Sequence, residues 1–456
     1  MFSRVLPIHN LLTGFHHSPF TIHYSPNMVS QKKTLIVIGG GAAGFFCAVN
    51  AARIHPQLQV ILLEKSSKLL SKVKVSGGGR CNVTHACFSI SDIIKKYPRG
   101  ASFLKKAFHH FFTTDTVEWF KQRGVALKTE ADGRMFPLSN TSQTIIDCLL
   151  READKYKVEI RMNAAVEEIQ SMVNSQKSNS EALKNEEHQF KILLSGDKTI
   201  PADYVCIASG GYPKSAQFDW LTKTGHTIQS PVPSLFTLNI PGNPITALMG
   251  ITVENTTIKI TGSKIQQSGS LLITHWGLSG PAALKLSAWA ARDLAACNYH
   301  FTIQVNWLPL YNENSLTEKI RQVRFDIAAQ KIVNRNPFGL PSRLWEYFLL
   351  QCGINADLRW ADLPAKEQNK LIKILCAQEL EVNGKTTFKE EFVTAGGITL
   401  NEVDVNTMQS KLVPNLFFAG EIIDVDAVTG GFNFQNAWTT GWIAAKAIGQ
   451  KMIVAD

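Results

Sequence analysis

Four aliphatic residues run straight into a glycine-rich turn in "LIVIGGGAAGFFCAVNAARI", Leu35 to Ile54, and that junction restricts the fold more than any other feature of the chain. Thr34 to Ile38 reads as a short buried strand, Ala42 to Ile54 as a helix with small residues on one side, and Val60 to Leu63 as a second strand. The order strand, helix, strand with G-x-G-x-x-G at the first junction is a nucleotide-binding unit of the doubly wound type. Gly39 permits the tight turn, Gly41 lets backbone approach a pyrophosphate, and Gly44 lets helix and strand pack closely. The helix start then faces the phosphates with unpaired N–H groups. Glu64 ends the second strand 20 residues beyond Gly44, the spacing at which a carboxylate accepts from a ribose 2′-hydroxyl. A phosphate on that hydroxyl would be repelled.

The rest of the chain extends this start. A second glycine run, "KVSGGGRCNVTH", Lys74 to His85, offers Arg80 to offset phosphate charge and Asn82 to donate and accept; the plainer alternative is a flexible surface loop. Ser102 to Gly124 is helical and rich in Phe and reads as core, followed by an amphipathic helix ending near Ala153. Strands are expected at Val158 to Met162, Ala165 to Ile169, Phe190 to Leu194 and Tyr204 to Ala208, with the polar stretch Ser171 to His188 as a hairpin tip. Pro231 to Trp307 is β-rich with a helix after Pro281, and Leu316 to about Val382 is helical. Near the end, Leu416 to Ala419 reads as a strand running into Gly420 and Glu421, and Phe434 to Ile448 as a helix after Gly430 and Gly431.

Composition bounds the function classes. The chain has 456 residues and a net charge of +10, with Lys and Arg scattered among 37 acidic residues, so nucleic acid is not the expected partner. No apolar run is long enough to span a bilayer, and no membrane partner is expected. Eight cysteines contain no C-x-x-C, which fits reduced thiols in a cytoplasmic protein better than a disulfide framework or a zinc site. Residues 1–30 read as a disordered leader or an over-extended start.

The motifs "GGGAAG", "SGGGRCN", "THWGLSGP" (Thr274 to Pro281), "TAGG" (Thr394 to Gly397) and "FAGEIIDVDAVTGGFNFQNA" (Phe418 to Ala437) together resemble those of FAD-dependent proteins. More narrowly, the chain resembles the bacterial NAD(P)/FAD-dependent oxidoreductases described as aminoacetone-oxidase-like or BaiN-like flavoproteins. The resemblance implies an α/β fold: a Rossmann-like FAD-binding domain built from both ends of the chain, with an inserted β-barrel-like domain and a helical domain. The corresponding segments are 31–212 and 389–456 for the FAD-binding domain, 213–312 for the β-rich insertion and 313–388 for the helical one. The resemblance also implies that Gly39, Gly41, Ala42, Ala43 and Gly44 hold pyrophosphate, with Glu64 and Lys65 at the adenosine ribose. Gly78, Gly79, Arg80, Cys81 and Asn82 would line the rest of the FAD, and Val166 would touch adenine through its backbone. Ala208, Ser209 and Gly210 would lie close to the cofactor, with Gly420 and Glu421 near its ribityl or phosphate region. Gly431, Phe432, Asn433 and Gln435 would border the isoalloxazine. Two departures stand out: the chain lacks a glycine-rich continuation after "SGGYPKSAQFDW", and "VTGGFNFQNAW" differs from the usual "GGYNLQWA".

A bound flavin needs position, electrostatics and a proton from the protein. No catalytic carboxylate pair, metal spacing or nucleophile elbow is present, so oxidoreduction of a small organic substrate by non-covalent FAD is the expected activity. An amine, a ketone and an unsaturated acid are equally open as substrates. His275 is a weak candidate acid or base, its alternative being a structural role, and Cys81 is a weak candidate whose alternative is an inert thiol packed on FAD. No second G-x-G-x-x-G marks an NAD(P)H domain, which leaves NAD(P)H as a candidate transient reductant at the flavin face. A succinate dehydrogenase or fumarate reductase type of flavoprotein is one alternative reading. A flavin-containing protein associated with nucleic acid is the other, prompted by the charge.

Overall fold

The computed structural model describes residues 32–172, 188–387 and 393–455. The leader and most of the expected hairpin tip, residues 173–187, lie outside the described residues. At the centre is a parallel five-stranded sheet in which Thr34–Ile38 pairs with Gln59–Leu63 on one side and Tyr204–Ile207 on the other. Leu416–Phe418 closes one edge and Glu159–Arg161 the other. Every residue of Thr34–Ile38 is buried, as expected for a parallel strand covered on both faces. The first helix, Ala42–Ile54, and the C-terminal helix, Phe432–Ala455, pack tightly together: a Cβ at Gly441 would lie 2.8 Å from the carbonyl oxygen of Ala43. The two ends of the chain therefore complete one layer.

The Phe-rich segment forms two helices instead of one continuous one, Ala101–Ala107 and Thr113–Lys121. The second starts afresh because the Asp115 carboxylate accepts from Phe112 N at 2.7 Å, an N-terminal cap that ends the preceding run. Phe108, Phe111, Phe112, Trp119 and Phe120 are all buried, as the sequence suggests. Val166–Ser171, Phe190–Leu194 and Lys198–Ala202 form an antiparallel sheet of three strands. The last of these was not expected.

Between the two parts of this unit lies a seven-stranded sheet with antiparallel pairings, including Thr252–Ile260, Gln266–Ile273 and His300–Asn306. Helices Glu313–Asp326, Ser342–Cys352 and Ala365–Ala377 share its hydrophobic cluster, which contains Leu271, Trp307, Trp345, Trp360 and Leu375. The helical run does not continue to Val382. Gln378–Asn383 is a strand with strictly alternating burial, paired to His300–Asn306, because "QELEVN" has a period of two. The chain leaves and re-enters the nucleotide unit through the paired strands Ile228–Ser234 and Val393–Ile398.

Candidate functional site: a glycine-lined FAD groove

The groove begins where the first helix meets its strand. A Cβ at Gly44 would lie 1.9 Å from the Gly39 carbonyl oxygen, so helix and strand approach as closely as the fingerprint requires. A Cβ at Gly41 would meet nothing within 4 Å, so this glycine faces open space beside the first-turn amides of Ala42, Ala43 and Gly44. Those amides have no intrahelical acceptor, and no acidic side chain occupies the first turn. Such a start attracts an anion.

Glu64 does two jobs at once. Its Oε2 accepts from Gly40 N at 2.9 Å, while Oε1 accepts from Ser66 N at 2.9 Å and Ser66 Oγ at 2.8 Å. A carboxylate has about four acceptor positions, which leaves one on Oε2 for a ribose hydroxyl. Lys65 lies over the Tyr212 ring, 5.1 Å from its centroid. The segment leading to Val166 runs beside Glu64, Ala164 N donating to the Glu64 carbonyl at 2.9 Å. Ala208 N donates to Ile38 O at 2.8 Å, which sets Ala208 and Ser209 against Gly39; a Cβ at Gly210 would enter open space.

In the second glycine run the backbone of Gly77, Gly78 and Gly79 is left-handed throughout, with φ of +60°, +69° and +82°. Gly77 is packed on Phe136, whereas Gly78 and Gly79 have open space where a Cβ would be. Arg80 does not stand free to meet phosphate: it donates to Glu130 at 2.5 Å and lies over the Phe136 ring. Cys81 is fully buried and its thiol is pushed up to about 12 by burial, which keeps it protonated and counts against a catalytic role. Asn82 ties the two ends of the chain together, with its amide oriented to accept from Gly431 N at 2.9 Å and donate to Thr84 O at 3.0 Å.

At the far end of the groove, Gly431 has no room for a side chain, since a Cβ would lie 2.5 Å from Thr84 O. Phe432 is buried and its carbonyl accepts from Tyr97 OH at 2.6 Å. Asn433 and Gln435 turn their side chains to protein: Asn433 braces both backbone groups of Ala427, and Gln435 Oε1 accepts from Thr84 and Thr116 hydroxyls. What this helix start offers a ligand is backbone amide. Gly420 N donates to Thr440 Oγ1 at 2.8 Å, and Glu421 accepts from Thr394 N at 2.8 Å and Lys72 Nζ at 2.6 Å.

His275 sits on an exposed turn of the seven-stranded unit with its ring against Trp276, and it makes no hydrogen bond to the nucleotide unit among the described residues. The histidine at the groove is His85. Its Nδ1 lies 3.0 Å from Gly430 O, and its ring is 4.6 Å from that of Phe432. A carbonyl only accepts, so Nδ1 carries the proton and Nε2 is left as an acceptor. Burial lowers its pKa from 6.5 and keeps it neutral at neutral pH. The available signal was its position at the end of "SGGGRCNVTH".

These residues fit FAD: open glycines along the groove, an anion-attracting helix start at one end, a carboxylate with a spare acceptor position, and a second helix start at the other end. FAD would supply hydride chemistry there; the chain supplies binding, orientation and exclusion of water. Among the described residues no group of three His, Cys, Asp or Glu could hold a metal, and no helix is long and apolar enough to cross a membrane.

The family model described as "HI0933-like protein Rossmann domain" matches residues 33–447. The "Ribosomal RNA dihydrouridine synthase" of Escherichia coli (strain K12) is 29% identical over 430 residues, covering 91% of this chain and 98% of its own. The "3-dehydro-bile acid delta(4,6)-reductase" of Clostridium scindens is 27% identical over 424 residues, covering 91% of this chain and 98% of its own. Among solved structures, the 3-ketosteroid-delta4-(5alpha)-dehydrogenase of Rhodococcus jostii RHA1 overlays with a TM-score of 0.48 at 12% identity, covering 93% of this chain and 99% of that one. With its match running from the first strand almost to the end of the C-terminal helix, the chain belongs to the HI0933-like Rossmann family and is an FAD-dependent oxidoreductase of that family.

Proposed function

We propose that this protein reduces a carbon–carbon double bond conjugated to a carbonyl, with NAD(P)H as the ultimate reductant. The observation that carries this reading is that two relatives spanning nearly the whole chain are named for one class of reaction on unlike substrates. Dihydrouridine is uridine with its ring double bond saturated, and a delta(4,6) 3-dehydro steroid carries double bonds conjugated to its 3-carbonyl. In both cases a hydride adds to the carbon remote from the carbonyl and a proton to the adjacent one. The balance is NAD(P)H and one proton consumed per double bond, with NAD(P)+ released.

The chain's own groups suit that chemistry. Backbone amides at the start of the C-terminal helix favour negative charge developing in front of them. Neutral His85 holds the Gly430 carbonyl through Nδ1 and packs its Nε2 edge against Gly133, which fixes the loop in front of those amides. All eight cysteines are unpaired thiols, which supports a cytoplasmic, reducing setting.

A second reading, that the conjugated acceptor is a uridine within RNA, is favoured by the net charge of +10 together with the relative named for ribosomal RNA. It stands against the sequence expectation that nucleic acid is not a partner. One experiment tests both: anaerobic titration of the purified holo-protein with NADH and NADPH, followed by addition of a steroidal conjugated enone or unmodified ribosomal RNA. The proposal expects the flavin bands to bleach with one nucleotide and return with an acceptor that gains two hydrogens. Bleaching by neither nucleotide, or no return with any conjugated acceptor, overturns it.

A further inference from the structure

The start of the first helix is flanked on two sides. On one, Leu70 N donates to Gly40 O at 2.9 Å, which seats the beginning of helix Ser71–Gly79 beside the glycine turn. On the other, a Cβ at Gly420 would lie 2.7 Å from that of Ala43, so the chain leaving strand Leu416–Phe418 reaches the first turn of helix Ala42–Ile54. Lys72 belongs to the first flank and Glu421 to the second, and their side chains meet: Lys72 Nζ donates to Glu421 Oε2 at 2.6 Å. An ion pair between residues 349 apart in sequence thus joins the two flanks of Gly40 to Ala43.

The two partners are held differently. Glu421 is fixed, because its Oε1 accepts from Thr394 N at 2.8 Å and a Cβ at Gly211 would lie 3.0 Å from that same oxygen. Lys72 is held at its tip. Its side chain is 45% exposed, and among the described residues it spends one of an ammonium's three donors, on Glu421. Arg80 and Lys65 are engaged elsewhere, on Glu130 and over the Tyr212 ring. Between the flanks, the amides of Ala42, Ala43 and Gly44 are open to an anion in front of Gly41. A pyrophosphate seated there stands near the Glu421 carboxylate as well, and like charges that close repel. A cation placed between them attracts both, and Lys72, already on Glu421 with two donors left, can be that cation.

We infer that Lys72 is a pyrophosphate-binding residue of the FAD site. It keeps its bond to Glu421 and gives a second donor to a phosphate oxygen, so the side chain closes over the cofactor as a clasp between the two flanks. The diphosphate is the part of FAD that this arrangement recognises, as distinct from the flavin ring and the adenine.

The test is the FAD dissociation constant, read from the fluorescence of flavin released as the holo-protein is serially diluted. K72Q should weaken FAD about tenfold, the loss of one charge-assisted hydrogen bond. K72R, which keeps the charge, should recover most of that loss. An ion pair this exposed holds little of the fold together, so K72Q should match the wild type in circular dichroism. A tie that acts on the cofactor only through Glu421 is separated by an E421Q background, in which the ion pair is already gone. There K72Q should still weaken FAD at least as much, because Lys72 then serves the phosphates alone. An unchanged dissociation constant in K72Q overturns the site, and so does an E421Q protein that loses nothing further when Lys72 is replaced.

Discussion

Arg99 and Asp426 form a two-pronged ion pair in the interior, where the aspartate is fully buried and the arginine side chain is 10% exposed. The pair does more than neutralise itself. Ser234 Oγ also donates to Asp426 at 2.8 Å, so the strand on which the chain leaves the nucleotide unit, the loop before Gly430 and the end of helix Pro281–Trp289 are joined at one carboxylate. Removing one partner leaves a buried charge uncompensated, which costs about 3–5 kcal/mol. D426A is therefore expected to lower the unfolding free energy by that amount, with a correspondingly lower denaturation midpoint, and to release FAD at lower denaturant than global unfolding. R99K should not rescue the fold, because an ammonium cannot serve both carboxylate oxygens and Ala288 together. A D426A midpoint equal to wild type would show the junction to be dispensable.

Gly41 and Gly44 are three residues apart, yet their substitutions should fail in different ways. At Gly44 a Cβ would strike backbone of Gly39, so G44A must push the helix off its strand, at about 1–3 kcal/mol or more. At Gly41 the backbone is extended, φ −91°, and a side chain would enter only open space. G41V should leave the apo protein within about 0.5 kcal/mol of wild type. It should weaken FAD at least tenfold, about 1.4 kcal/mol. Thermal melts of apo protein beside flavin binding titrations separate the two effects; full FAD occupancy in G41V would remove the phosphate assignment.

Cys81 makes a chemical prediction of its own. A buried thiol pushed up to about 12 is almost wholly protonated at pH 8 and cannot act as a nucleophile. Native protein treated with iodoacetamide should be alkylated at exposed Cys297 and spared at Cys81, and C81A should keep its flavin spectrum. Rapid native labelling of Cys81 would return it to consideration as a reactive group.

The part of the site that sequence discloses is the part that local geometry fixes. G-x-G-x-x-G between an aliphatic strand and a helix leaves few foldings, and Glu64 follows because one strand and one helix set its distance. Side-chain direction on the C-terminal helix is different. The sequence shows Asn433 and Gln435 next to two glycines; Asn433 is turned away by Ala427, six residues back, but whether Gln435 faces a ligand depends on Thr84 and Thr116, more than 300 residues away. His275 and His85 illustrate the same limit. Each stands near glycines in the sequence, and only the contact between His85 and Gly430, 345 residues apart, decides which belongs to the groove. Gln378–Asn383 was legible by its period of two but lay at the end of a longer helical run.

His226 is the group for which acidification has a defined sign. It is 3% exposed, with Nδ1 2.7 Å from Thr224 Oγ1 and Nε2 2.7 Å from Ser410 Oγ. Burial lowers its folded pKa below the ordinary 6.5, while the unfolded chain keeps the ordinary value. Below pH 6.5 the unfolded chain therefore binds a proton that the folded chain resists. The stability contributed by the neutral ring is complete above that pH and is lost as pH falls through the folded pKa. Melting temperature should thus decline from pH 7 to pH 5, by at most about 1.4 kcal/mol of stability per unit from this one ring. H226Q, which does not titrate and retains an amide for the two hydroxyls, should start less stable and fall less steeply. Because His85 is shifted in the same direction, the slope should flatten without vanishing. Parallel melts of the two proteins across that range give the answer: equal slopes would mean that the acid sensitivity arises elsewhere.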